Sequence, residues 1–330
     1  MLKLSRRCLL FTQEVNMAEP NIYDNSPLPI YVGERIFLGL KDLVVSLYSE
    51  RCQFKCNYCN LPRKSHPGPM DAEAIKRQID GVLDEKRTKL PDFRQLSIGN
   101  EGSILDPSRF PKEALDHLLI RTKRFPALEV LSLETRPEYI NAPLMEEIQR
   151  VTALPTIDVT IGFETQDDHL REIVLGKNIR KKLLENRIKL LGEVGVRLTS
   201  YVLLKPGPAM AEQDGIDEAI RTIEYLCEKC RDANVDLVIY LNPVYAAEGT
   251  PLEREFILHG YCSPQIQSVV QIIGATRGLN VPIYTGLWSE ENAGENGDYQ
   301  GLDTHRAEVR EAVKKYNKTQ DFLAIEPFIE

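Results

Sequence analysis

No stretch of the 330-residue sequence approaches the roughly 18 to 20 uninterrupted apolar residues that a membrane-crossing helix needs, which excludes a helical membrane protein. Cysteine is sparse. Seven residues, an odd number, are too few for a disulfide framework at this length. Positive charge is not in excess either: 41 Lys and Arg against 49 Asp and Glu leave a formal charge of −8. That argues against a protein held on nucleic acid by its overall field, while a local basic patch stays open. No solenoid-length repeat is present. Near the start, Lys3, Arg6 and Arg7 precede only a short apolar run with no small-residue cleavage site, so no secretory signal is expected, and Met17 offers an alternative start. The expectation is a cytoplasmic protein.

What is present is an ordinary folded composition, with 42% apolar residues and 20 each of Gly and Pro, at a length that suits one α/β barrel. From Asp42 onward, short β-branched runs alternate with helical stretches. The runs are Leu43–Leu47, Gln95–Ile98, Val130–Leu133, Ile157–Phe163, Leu198–Leu204 and Leu237–Leu241; helices are predicted near Asp71–Lys86, Pro111–Lys123, Pro143–Val151, Arg180–Val194 and Gly215–Lys229. Strands joined by crossover helices imply a parallel sheet covered on both faces. A closed barrel, an open doubly wound sheet and a partial barrel all fit that order. The strands end in polar clusters, such as Gly99-Asn100-Glu101, Glu134-Thr135-Arg136 and Glu164-Thr165, and chemistry in βα barrels sits at strand C-termini. Beyond Val244, a helix over Pro264–Thr276, a short strand over Val281–Tyr284 and a helix over Thr304–Lys315 form an extension, with a Gly/Asn/Glu-rich loop at Ser289–Gly301. Trp288 and that loop are candidates to cover the barrel mouth.

Three of the cysteines crowd into CQFKCNYC as Cys52, Cys56 and Cys59, directly after the first run. Three thiolates on one short loop can hold three corners of a 4Fe–4S cluster, and the absence of a nearby fourth leaves one iron open. Zinc would want a further Cys or His at finger-like spacing, and His66 lies seven residues beyond Cys59 in a Pro/Gly-rich loop. Cys227 and Cys230, three apart on a predicted helix, suit either two metal-binding corners or small buried hydrophobes.

The Cys-x3-Cys-x2-Cys loop, with the aromatic Tyr58 before its last cysteine, closely resembles the signature of the radical S-adenosylmethionine (SAM) superfamily. The resemblance implies a partial (β/α)6 TIM-like barrel with a small C-terminal α/β extension. The boundaries expected are an N-terminal extension over 1–40, the core over 41–245 and the C-terminal extension over 246–330. It further implies a 4Fe–4S cluster on Cys52, Cys56 and Cys59, whose open iron takes the methionyl end of SAM. An electron delivered to the sulfonium then yields methionine and a 5′-deoxyadenosyl radical. By the same resemblance, SAM contacts fall at the turn Gly99, Asn100, Glu101, Gly102 and Ser103, at Glu134, at Glu164 and at Lys177. The segments ETRPEYI, GFETQDDHLREIVLGKN, SYVLLKPGPAMAEQDGIDEAI and LNPVYAAEGTPLE look like the branch containing the elongator catalytic subunit. Within it they are most similar to the radical SAM subunit of archaeosine synthase.

That branch implies a tRNA nucleobase as substrate and a flavodoxin or ferredoxin as electron donor, with no membrane partner. The acidic charge leaves a small metabolite or natural product open as substrate. A non-catalytic iron–sulfur electron carrier would instead need a fourth ligand. The basic groups Arg180-Lys181-Lys182 and Arg121 with Lys123 and Arg124 read as solvated helix faces or as RNA contacts. Lys205, at a strand end, points to an anionic substrate group or pairs with a neighbouring Glu.

Overall fold

The computed structural model describes residues 28–100, 102–244, 247, 249–262, 264–287 and 306–329. Trp288, the loop Ser289–Gly301, Glu101, Cys8 and Met17 lie outside them.

The chain builds one eight-stranded sheet whose spatial order is its sequence order. Strand β1 (Tyr31–Phe37) pairs antiparallel with β2 (Leu40–Ser46). From there the pairing is parallel: β3 (Gln95–Gly99), β4 (Val130–Glu134), β5 (Thr156–Glu164), β6 (Arg197–Leu204), β7 (Leu237–Pro243) and β8 (Ile283–Thr285). The helices between them are α1 (Ala72–Glu85), α2 (Lys112–Arg121), α3 (Ala142–Thr152), α4 (Lys181–Val194) and α5 (Glu212–Asp232). After β7 come α6 (Pro251–Leu258) and α7 (Ile266–Ala275), and after β8 comes α8 (Ala307–Thr319). The result is the expected partial barrel, a mixed sheet curled into a half-barrel with helices outside.

The local chemistry of the helices is legible. Asp71 accepts from Glu73 N at 3.2 Å to start α1, and Asn141 accepts from Leu144 N at 3.1 Å to start α3. Gly195, at φ 65°, closes α4, whose Leu184, Ile188 and Leu191 are buried as the amphipathic pattern requires. Arg121 and Arg124 pair with Asp80 and Asp84 of α1, so that basic group is a helix–helix seam.

The strands are buried on both faces near their starts, as expected, but the two faces differ in chemistry. Leu43, Val45, Leu96, Ile98, Leu131, Leu133, Val159, Leu198 and Ile239 belong to one continuous apolar core with the helices. Their alternates along each strand form a polar inner face. Ser97 Oγ meets Asp42 at 3.0 Å; Ser132 Oγ and Thr199 Oγ1 reach Asp158 at 2.6 and 2.8 Å; and Arg197 Nε pairs with Asp158 at 2.6 Å. Asp42, Ser97, Ser132, Asp158 and Thr199 are buried because they satisfy one another, near the strand starts, with Arg197 half-buried at the edge. The period-two alternation was present in LSLE and DVTIG, but runs this short read equally well as wholly buried strands.

Candidate functional site

The cysteine loop leaves β2 at the C-terminal end of the half-barrel. Leu47 N donates to Gly99 O at 2.8 Å, and the loop is then cinched where Arg51 N meets His66 O at 2.8 Å and His66 N meets Ser49 O at 2.9 Å. Cys52, Cys56 and Cys59 are in no disulfide among the described residues, and each is partly buried. Asn57, between them, holds the loop to two other segments. Its backbone N–H donates to Leu175 O at 2.8 Å, its carbonyl accepts from Leu252 N at 2.9 Å, and its amide donates to Val174 O at 3.1 Å. Phe54 lies under the Arg136 guanidinium, 3.4 Å from ring centre to Cζ, and Arg136 in turn donates to Lys177 O and Asn178 O at 3.1 Å each.

This donor set fits a cluster better than a single ion. Among the described residues, no three His, Cys, Asp or Glu side chains close on one point as a zinc site requires. A cubane instead presents a separate iron to each thiolate. Burial first, with Cys56 beside it, pushes the Cys52 thiol above its usual range. A thiolate there calls for a positive centre such as iron to offset that cost.

A second cluster of side chains stands next to the loop. Tyr58 Oη donates to Glu164 Oε1 at 2.8 Å, and Lys177 Nζ reaches both Glu164 Oε1 and Tyr58 Oη at 2.8 Å. Burial works against the charge on Lys177, but Glu164 and Cys56 beside it hold its amine above the ordinary lysine range. The backbone is bent to make this arrangement. The β5–β6 register slips between Gly162 and Glu164, and buried Glu164 sits at φ 76°, a left-handed conformation costing on the order of 1–3 kcal/mol. Gly162 must lack a side chain, since a Cβ there would lie 2.5 Å from both Glu164 Oε1 and Lys177 Nζ.

The turn after β3 closes the third side. Asn100 is buried, and its Nδ2 donates to Ser49 Oγ at 3.0 Å. Asn100 Oδ1 is buried with no hydrogen-bond partner among the described residues, an acceptor suited to an ammonium group such as that of SAM. Gly102 packs on the cluster loop: a Cβ there would lie 3.3 Å from that of Cys52. Ser103 Oγ pairs with Thr135 Oγ1 at 2.7 Å. Glu134 abuts Gly99, where an added Cβ would sit 2.9 Å from Glu134 Oε2. The described candidates therefore converge at the C-terminal ends of β2 to β5, in two groups: Gly99, Gly102, Ser103 and Glu134 on one side, Glu164 and Lys177 on the other.

Other readings are resolved differently. Lys205 does not reach into the barrel; its amine pairs with Glu212 at 3.0 Å and Cys262 O at 2.9 Å, because φ 60° turns it away from the strand line. Cys227 and Cys230 lie in the apolar core, where burial pushes their thiols up to about 11 and about 12, so they are small hydrophobes and not thiolate ligands. Asn57 and Arg136, both central to the geometry, escaped the sequence reading. Arg136 had a faint signal in the following Pro137, which fixes an extended backbone, but nothing in the sequence marks its stacking on Phe54.

No family model matches the chain. An uncharacterised protein of Methanocaldococcus jannaschii is 23% identical over 90% of this chain and 82% of its own. Archaeosine synthase subunit beta of Methanosarcina acetivorans is 21% identical over 90% of this chain and 85% of its own. Among solved structures, the radical SAM enzyme SuiB of Streptococcus suis, bound to its precursor peptide SuiA, superposes with a TM-score of 0.50 at 17% identity. That match covers 76% of this chain and 49% of SuiB, so the chain spans about half the length of that protein. The chain therefore has the partial-barrel fold of that enzyme, and its three-cysteine loop is set at the mouth of that fold.

Proposed function

We propose that the chain binds a 4Fe–4S cluster through Cys52, Cys56 and Cys59, holds SAM against it, and modifies a nucleobase in tRNA. The observation that carries the cofactor reading is the loop of three cysteines packed directly against the Gly102 turn and the Glu164–Lys177–Tyr58 cluster. When bound, the cluster supplies the electron that cleaves the sulfonium of SAM. The protein's part is positional. The Gly99–Ser103 turn presents backbone and the buried Asn100 oxygen toward the methionyl ammonium. Lys177 offers a cation near a carboxylate, and Glu134 and Glu164 are acceptors for the adenosyl group. Arg136 and Asn57 hold these parts in register.

The tRNA substrate is supported by the likeness to archaeosine synthase subunit beta. Two cations on the cysteine loop, Lys55 and Lys64, are exposed beside the mouth and suit a phosphate backbone. A second reading, a small-molecule substrate, is favoured by the charge of −8. An electrophoretic shift of tRNA separates them. The first predicts binding that weakens steeply between low and moderate salt. Absence of binding, together with deoxyadenosine release stimulated by small metabolites, would establish the second.

A further inference from the structure

The inner face of the half-barrel changes character along the strands. Near their starts, the Asp42 and Asp158 carboxylates are closed from solvent. Nearer their ends, the same face opens. Glu134, Gly162, Tyr201, Tyr240, Asn242 and Tyr284 are all partly exposed, although their neighbours along each strand are buried. The lumen is thus a depression with a sealed polar floor.

One wall of it is aromatic. Tyr201, Tyr240 and Tyr284 are register partners across β6, β7 and β8, with successive ring centroids 5.1 and 5.0 Å apart. Arg35 braces two of them from β1. Its guanidinium lies 5.4 Å from the Tyr240 ring and 5.3 Å from the Tyr284 ring, and donates to Tyr240 Oη at 3.1 Å. Two residues nearer the mouth on the same face of β7 stands Asn242, whose Oδ1 is buried with no hydrogen-bond partner among the described residues. Gly286 leaves room for both: a Cβ there would lie 3.1 Å from Tyr240 Cε1 and overlap the Asn242 amide.

We propose that this wall is a substrate subsite for a flat, hydrogen-bonding heterocycle of nucleobase size, resting on Tyr201 with its edge read by Asn242. The proposal deepens the radical SAM reading and rests on it. A flat ring gains from the faces and edges of the tyrosines, and its polar edge satisfies the amide. An aliphatic chain gains less from the rings and leaves a buried polar atom unpaired. The side chains on this wall are neutral, so recognition is by shape and hydrogen bonding, and the charges of a polynucleotide would be met outside the lumen.

Saturation-transfer NMR on the full chain tests this with guanosine, cytidine and uridine as probes and ribose as the control lacking a base. Adenosine is left out because SAM carries that ring. The base protons of at least one nucleoside should receive saturation, with affinity falling about fivefold or more in Asn242→Ala and in Tyr201→Leu. Tyr201→Phe, which keeps the ring, should bind as the wild type does. Equal affinity in all variants, or no saturation of any nucleoside beyond that of ribose, would overturn the subsite. Iron content, measured on the same variants, should stay at the wild-type level and shows that the fold and the cysteine loop are intact. A wild type that loads no iron would instead refute the radical SAM reading, whatever the NMR shows.

Discussion

The floor and the mouth of the half-barrel are built from the same kinds of residue and finished in opposite ways. At the floor, Asp158 is met by Arg197, Ser132 and Thr199 in regular strand geometry, and it is fully buried. At the mouth, Glu164 is also buried and also paired, but it sits at φ 76° in a bulge, facing a lysine delivered by a glycine turn at φ 61° and a tyrosine from the cysteine loop. Regular geometry marks the strand starts, and bent geometry marks the candidate site at the strand ends. This is the division a βα barrel favours, with strain kept where chemistry is done.

The comparison can be broken from either end. The largest effect on folding is expected at the floor. Asp158→Ala leaves half-buried Arg197 and the buried Ser132 and Thr199 hydroxyls without their carboxylate and should cost about 3–5 kcal/mol in urea unfolding, with iron loading per folded molecule unchanged. A loss of cluster with wild-type stability would reverse the assignment of the two ends. At the mouth, Glu164→Gln should cost no more than about 1–2 kcal/mol, since one hydrogen bond to Lys177 or Tyr58 survives and the strained backbone is unchanged. Its signature is weaker SAM binding by the cluster-loaded protein, read by equilibrium dialysis.

Asn57→Ala tests whether the loop is positioned from outside its cysteines. Losing the amide bonds to Val174 O and Ile173 O should cost about 1 kcal/mol and speed iron loss to a chelator, while Asn57→Asp, which cannot donate, should behave alike. Smallest of all is the control on the outer surface. Arg121 first, then His117, hold the Asp80 carboxyl below its usual range, so its stabilisation is present above the unfolded carboxylate pKa and vanishes as pH falls through the folded value. Asp80→Asn should therefore lower stability at pH 7 by under about 1 kcal/mol, and the difference should disappear in acid.

How much of this was legible beforehand follows from what kind of information each part carries. The six core strands and their crossover helices were readable because β-branched runs, caps and amphipathic stripes are local signals. The edge strand β1 was not; YVGERIF has no apolar periodicity of its own and is a strand because it pairs with β2. Helix α6 was missed for a related reason, though Thr250 caps it: Thr250 Oγ1 accepts from Glu253 N at 3.2 Å, and Glu253 accepts from Gly249 N, just before the cap, at 2.7 Å. The cysteines announced themselves by spacing alone. The aromatic wall did not, because Tyr201, Tyr240 and Tyr284 are 39 and 44 residues apart and only the sheet register brings them into a row. Arg136 on Phe54 is the same case, a contact between segments with no shared pattern.

The most direct test is anaerobic reconstitution with iron and sulfide, followed by SAM and dithionite, on the wild type and on Cys56→Ala. The wild type should take up about four irons per chain and release 5′-deoxyadenosine, and the variant should do neither while remaining folded. A wild type that binds no cluster, or a variant that loads iron and cleaves SAM equally well, would contradict the assignment of Cys52, Cys56 and Cys59 as the centre of the site.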